Sequence, residues 1–335
     1  MDRTLATRRP HGRRLGFLAA TGAGLALVAA ACSGSSATPT PAAPADAYSV
    51  VSKAVAAPMD KVKVNVGLTT TGGSSPITID PKDIEVVADT TAGKGTFHLS
   101  LPKAALGSNA SALPITGDTI DLDVLFDGQA IYVKSPLLAT FLPLLLSQSG
   151  QQVPGDLTGW IKLGTADELG GLLSGLGAGA SAQPSMPAMA SMTPDELKQQ
   201  LEAAGVTVTY VGTEQHNGVD ADHLTISVDP TKLEASDLFK QVPAGQLGQL
   251  KDLAGKGTVS GDVWFDHASG RLSEADVNFG DTSSGETGKL QVLVSDPGNV
   301  SIETPANAPE LPIAPLLQTL MSLGGGLLPG ASANP

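Results

Sequence analysis

The chain of 335 residues has a single cysteine, Cys32. No internal disulfide can form, so the fold rests on its own packing even in an oxidising compartment. Aromatic residues make up only 4% of the sequence. Aliphatic side chains must therefore fill the core, and little stacking surface is offered to bases or sugars. Basic residues are also scarce, 20 Lys and Arg against 33 Asp and Glu. Five of them, Arg3, Arg8, Arg9, Arg13 and Arg14, sit in the first 14 residues. Beyond residue 31 the balance is 15 basic to 32 acidic, a net of −17. With no basic cluster left, the chain is a poor candidate for nucleic acid or for electrostatic docking on anionic lipid.

Chemistry-bearing motifs are missing too. There is no nucleophile elbow, no phosphate-binding glycine loop and no His-Glu zinc motif. The carboxylates fall mostly in turns or on outward strand faces, where solvation accounts for them. The reading is a protein that is not an enzyme, with no catalytic residues, no cofactor and no metal. One constellation tests that reading. His216 and His223 flank Asn217-Gly218, and a metal site there needs Asp220 or Asp222 on the same side. Polar residues beside a turn explain these histidines more simply.

What is present begins with the N-terminus. The five arginines precede an uncharged, mostly apolar run, Leu15 to Ala31, that ends in Val28-Ala29-Ala30-Ala31-Cys32-Ser33-Gly34. A basic start, an apolar stretch and small residues before the cut are the marks of an export signal. A cysteine directly after them reads as a lipobox, although Ala29 stands where Leu is usual. Residues 1–31 are thus expected to be a lipoprotein signal peptide and Cys32 the lipidated new N-terminus. A membrane-spanning run and cleavage without lipidation are the competing readings; 17 residues rich in Gly and Ala are short for a span. Arg13-Arg14 hints at twin-arginine export, but Gly16 displaces the aromatic, so the ordinary route ranks higher.

Residues 32–45 are rich in Ser, Thr, Pro and Ala and read as a flexible tether. Asp46 to Ala57 reads as a short helix capped by Asp46 and ended by Pro58, with Val50, Val51, Ala54 and Val55 along one side. Residues 46–310 form the expected single domain. Residues 170–192 read as a low-complexity insertion, and residues 311–335 as a Leu- and Gly-rich tail.

Strict alternation dominates the domain. Val62, Val64, Val66 and Leu68 alternate with polar or small residues. Ile120, Leu122, Val124 and Phe126 form one face of a second strand, whose other face is polar apart from Leu125. Val206, Val208 and Tyr210 repeat the pattern, as do Leu224, Ile226 and Val228, and Leu290, Val292 and Val294. Period two predicts half-buried antiparallel strands. Asp127-Gly128, Asn217-Gly218 and Asp266 to Gly270 are the turns expected between them. Helices are few. Thr193-Pro194-Asp195-Glu196 opens one that should reach about Ala204 and stop at Gly205. Residues 231–240 and 245–254 are weaker candidates. Leu137, Leu138, Phe141, Leu142 and Leu144 to Leu146 crowd a stretch broken by Pro143.

Several phrases carry a resemblance. They are Phe126-Asp127-Gly128-Gln129-Ala130-Ile131-Tyr132-Val133-Lys134, Gly159-Trp160-Ile161-Lys162-Leu163, Asn217 to Leu224, and Val263-Trp264-Phe265-Asp266 with Gly270. In their order after a tethered cysteine, a first helix and a first strand, the chain resembles the LppX/LprG family of actinobacterial lipid-carrier lipoproteins. More distantly it resembles the lipoprotein-localisation carriers. That resemblance implies an α+β fold, a curved antiparallel sheet or half barrel, with helices on its concave face enclosing an apolar cavity. Val64, Val66, Leu122, Val124, Val208 and Ile226 would floor the cavity, with Leu138, Phe141 and Leu142 as its lid or mouth. The implied partner is an acylated lipid or glycolipid, bound and transferred by a protein held at the outer face of the cell membrane through Cys32. A membrane transporter is a further implied partner. Two rivals stay open: an envelope scaffold with the same fold and a filled core, and a metal protein or enzyme using His216 and His223.

Overall fold

The computed structural model describes residues 46–57, 59–72, 76–103, 117–148, 155–165, 192–229, 232, 257, 259–281, 285–296 and 301–311. The signal peptide, Cys32 and the tether lie outside these residues. So do all but residue 192 of the insertion, all but Leu311 of the tail, and the helix candidates 231–240 (apart from Lys232) and 245–254.

The described elements are α1 (Ala47–Ala56), β1 (Lys61–Thr71), β2 (Ile77–Ile79), β3 (Ile84–Asp89), β4 (Lys94–Pro102), β5 (Thr119–Phe126) and β6 (Ala130–Lys134). Then come α2 (Pro136–Gln148), β7 (Ile161–Thr165), α3 (Pro194–Ala203), β8 (Val206–His216), β9 (Val219–Val228), β10 (Val259–Asp266), β11 (Leu272–Asp281) and β12 (Glu286–Ser295). The strands follow the order β7-β6-β5-β4-β3-β1-β12-β11-β10-β9-β8, with β2 paired to β1 off this path. The protein is α+β, dominated by an antiparallel sheet with few helices, as the alternation predicts. Strands β3 and β4 go beyond that expectation. Backbone contacts group the elements into two compact units. One contains α1, α3, β8, β9, β10 and residues 277–281 of β11. The other contains β1 to β7, α2, residues 272–276 of β11 and most of β12.

In the first of these units, α1 buries Ala47, Tyr48, Val50, Ala54 and Val55. Asp46 occupies the cap position, but its side chain makes no capping bond. Its carbonyl instead accepts from Ser49 N and Val50 N at 2.9 and 3.2 Å. Ala57 is already extended (φ −69°, ψ 127°), as expected of a residue whose successor is proline. Helix α3 carries the anticipated capping box. Thr193 Oγ1 accepts from Glu196 N at 3.3 Å, and Glu196 Oε2 accepts from Thr193 N at 2.8 Å. Leu197 is its one buried residue among those described. Gly205 then turns the chain into β8 at φ 79°. A Cβ there would fall 2.7 Å from Asp229 O, so only glycine fits. Asn217 and Gly218 close the β8–β9 hairpin, both at positive φ (51° and 83°), which suits the twist of a two-residue hairpin turn.

The second unit repeats the logic at Asp127-Gly128. Asp127 Oδ1 accepts from Gln129 N at 3.0 Å and Ala130 N at 2.8 Å, while Tyr132 Oη donates to Asp127 Oδ2 at 3.2 Å. Helix α2 runs through Pro143 rather than breaking at it. An interior proline removes one helical hydrogen bond, and apolar packing offsets that loss. Leu142 and Leu146 join Leu157, Ile161 and Leu311 in a buried cluster. Edge strand β7 is covered on its outer side. Lys162 N donates to Pro309 O and Leu311 N to Lys162 O, each at 2.9 Å.

Candidate functional site

The register of β1, β3, β4, β5 and β6 decides which side chains share a face. Val64 lies opposite Val86, Val86 opposite Phe97, Phe97 opposite Val124, and Val124 opposite Val133. A flanking row runs Ile84, Leu99, Leu122. Another runs Val62, Ala88, Gly95, Phe126, Ile131. Every side chain on these rows is apolar or absent. Of the thirteen residues, Val133 alone is buried and the rest are only half-buried. This is a wide aliphatic face, incompletely covered.

The opposite face of the same strands is polar. Lys63 Nζ pairs with Glu85 Oε2 at 2.6 Å, His98 Nδ1 with Asp123 Oδ1 at 2.6 Å, and Ser100 Oγ donates to Asp121 Oδ1 at 2.6 Å. The Lys63 ammonium, against the opposing cost of burial and with help from Asn65, holds the Glu85 carboxyl below its ordinary value. Leu125, the apolar exception on this face, is buried together with Val87, Ala130, Tyr132 and Ile302. The segment after β12 thus covers an island of the polar face, and Trp160 and Ala308 pack against it.

Of the residues expected to form a cavity floor, Val64, Leu122 and Val124 lie half-buried on the aliphatic face, while Val66 is buried farther along β1. Val208 and Ile226 face each other across β8 and β9 in the other unit, the first buried and the second half-buried. Of the expected lid residues, Leu142 belongs to the buried α2 cluster, Leu138 packs against that cluster, and Phe141 is half-buried.

The histidines occupy the unit of β8 to β10. The hairpin brings His216 and His223 onto one face, where both imidazoles stack on Trp264 at centroid distances of 4.2 and 4.7 Å. Trp264 Nε1 donates to Glu214 Oε1 at 2.6 Å, and His223 Nε2 lies 2.9 Å from Asp262 Oδ1. Asp222 does not join them. Strand alternation sends it to the other face, where its Oδ1 accepts from Tyr210 Oη and Thr213 Oγ1 at 3.1 Å each and meets His267 Nδ1 at 2.8 Å. Asp220, paired with Gln215, shares that other face. Among the described residues no group of three His, Cys, Asp or Glu is arranged to hold a metal. Sequence reasoning missed the His-Trp-His stack, because it depends on the pairing of Trp264 with His223 across β9 and β10.

Comparison with known proteins adds likeness at the level of solved structures. The chain is similar to the lipoprotein LppX of Mycobacterium tuberculosis, at 17% identity over 72% of this chain and 89% of that one, with a TM-score of 0.32. It is also similar to LprF of Mycobacterium bovis, at 12% identity over 79% of this chain and all of that one, with a TM-score of 0.37. No protein-family model and no curated protein matches the chain. The chemistry open to the aliphatic face follows from its own side chains. It has no donor, acceptor or charge to direct a polar ligand, and it offers five strands' width of branched and aromatic carbon.

Proposed function

We propose that this protein is an exported lipoprotein, anchored through Cys32 at the outer face of the cell membrane, that binds an acylated lipid or glycolipid and transfers it. The observation that supports this reading most is the Val64–Val86–Phe97–Val124–Val133 row with its flanking rows: a broad aliphatic face that the described elements leave half-exposed. Each methylene buried from water is worth about 0.8 kcal/mol, so a 16-carbon chain gains roughly 12 kcal/mol when fully enclosed, and a chain lying on an open face gains only part of that. Aliphatic walls suit acyl chains, which need volume rather than directed hydrogen bonds. An acyl anchor on Cys32 supplies the membrane contact that the acidic chain does not, and it needs two or three chains to hold. A membrane transporter fits as the partner that loads or unloads the cargo.

The test is mass measurement on the full chain purified from an actinobacterial host. Acyl groups on Cys32 survive denaturation, whereas a carried lipid does not. A native mass exceeding the denatured mass by about one lipid supports the carrier, and extraction identifies the cargo. Val124→Trp, placed in the middle of the face, should lower loading several-fold while leaving the circular dichroism unchanged. Equal native and denatured masses would favour the scaffold with a filled core, and full loading of Val124→Trp would put the lipid somewhere other than this face.

A further inference from the structure

The face of β8, β9 and β10 that carries the His-Trp-His stack has a second feature that the lipid reading does not use. The pairing sets Thr209, Thr225 and Asp262 side by side, and Thr207, Ser227 and Ser260 beside them. These six residues, together with Ile226 and Gly261, line one hollow of about 260 Å³. Strand spacing puts neighbours in a row about 4.8 Å apart and the two rows about 7 Å apart. Threonine and serine are ordinary on an exposed strand, but here five such residues line a single hollow. Among the described residues none of the five hydroxyls is engaged by another protein group. Asp262 is the one charged member, and His223 Nε2 at 2.9 Å from its Oδ1 fixes its orientation.

We infer that this hollow binds a neutral polyhydroxylated ligand, an oligosaccharide segment. A hydroxyl both donates and accepts, so a grid of hydroxyls matches another set of hydroxyls. A carboxylate among them accepts a stronger, charge-assisted bond from a sugar hydroxyl. Asp262, with Glu214 nearby on the same face, opposes phosphate, sulfate and uronate groups, and among the described residues no Lys or Arg lines the hollow. The ligand is therefore neutral. Recognition rests on hydrogen bonds, since Trp264 is already stacked by two imidazoles. The inference is independent of the lipid reading, because no residue of the aliphatic face of β1 to β6 takes part.

The experiment is a titration of the full chain with manno-, malto- and cellotetraose, followed by amide chemical shifts of β8 to β10, with a sulfated tetrasaccharide as control. The expected result is saturable, millimolar binding of at least one neutral tetrasaccharide, shifts confined to these strands, and none with the sulfated probe. Thr209→Val and Thr225→Val together keep shape and strand propensity while removing two hydroxyls, and should weaken binding about tenfold. Asp262→Asn, which retains an acceptor and loses the charge, should weaken it less and admit the sulfated probe. Absence of saturation with all three neutral sugars overturns the inference, as does unchanged affinity in a folded Thr209→Val/Thr225→Val variant.

Discussion

Asp222 shows how one residue's role is set by strand parity. Its neighbours in sequence, Ala221 and His223, point to the face that carries the His-Trp-His stack. Asp222 itself is turned the other way and is 3% exposed. A buried carboxylate is tolerated only where donors satisfy it, and three do: Tyr210 Oη, Thr213 Oγ1 and His267 Nδ1. Since a carboxylate accepts only, His267 carries its proton on Nδ1. His267 N also donates to Asp220 O at 2.8 Å, so the group ties the β8–β9 strands to the loop after β10. Asp222→Ala leaves Tyr210 and Thr213 without their acceptor and should cost about 2–3 kcal/mol. Asp222→Asn keeps one acceptor oxygen and should cost roughly half as much. Urea denaturation of the two variants checks the order. Equal and negligible costs would show that the clasp is dispensable.

At the scale of elements, α3 is held by little. The capping box fixes its start, but Leu197 is the single buried side chain among its described residues. Leu197→Ala should therefore cost about 2–4 kcal/mol, the range for a large-to-small change at a fully buried site. Thr193→Ala should cost about 1 kcal/mol. The denaturation midpoint should fall further for the first than for the second. The reverse order would mean that the cap, not the packing, holds this helix. Such local signals are what the sequence displays well. The capping box, the Asp127-Gly128 and Asn217-Gly218 turns and the alternation in β1, β5, β8 and β9 are written within a few residues of each other. What it hides are effects of distant segments. In β3, Glu85-Val86-Val87-Ala88 breaks the alternation because Val87 lies in the island covered by Ile302. Leu125 looks anomalous in β5 for the same reason. The bulge beside Tyr210 shifts the register of β8 against β9, so Val211 turns out to solvent, 55% exposed. The aliphatic face was legible strand by strand, through Val64, Leu122 and Val124. Its width was not, because Val86 and Phe97 enter it only through strand pairing.

For the whole molecule, pH dependence follows from where the carboxylates sit. The Ala130 N–H, working against burial and with the Gln129 N–H, holds Asp127 below its ordinary 3.8. Ala92 N–H does the same for Asp89, and Thr158 N–H for Asp156. Burial pushes Asp266 up, but the hydroxyl and N–H of Ser269 outweigh it and the net shift is down. A group held low in the fold stabilises it above the unfolded value, and that contribution fades as pH falls through the folded value. Tyr48 and Tyr132 are raised above 10.0, chiefly by burial. Their contribution is present below about 10 and is lost as pH rises through the raised values. The melting temperature should therefore hold between these limits and drop below about pH 4 and above about pH 10. Net charge acts in the opposite sense on the acid side, because titration towards the pI near 4.7 relieves self-repulsion. Salt separates the two effects. It screens repulsion between distant surface carboxylates but acts less on bonds from a carboxylate to adjacent backbone N–H groups. In high salt the gain between pH 7 and 5 should shrink while the loss below pH 4 persists. Asp127→Asn cannot ionise, so it should lower stability at pH 7 and flatten the acid limb. An acid limb of unchanged slope in that variant would assign the loss to carboxylates other than the one closing the β5–β6 turn.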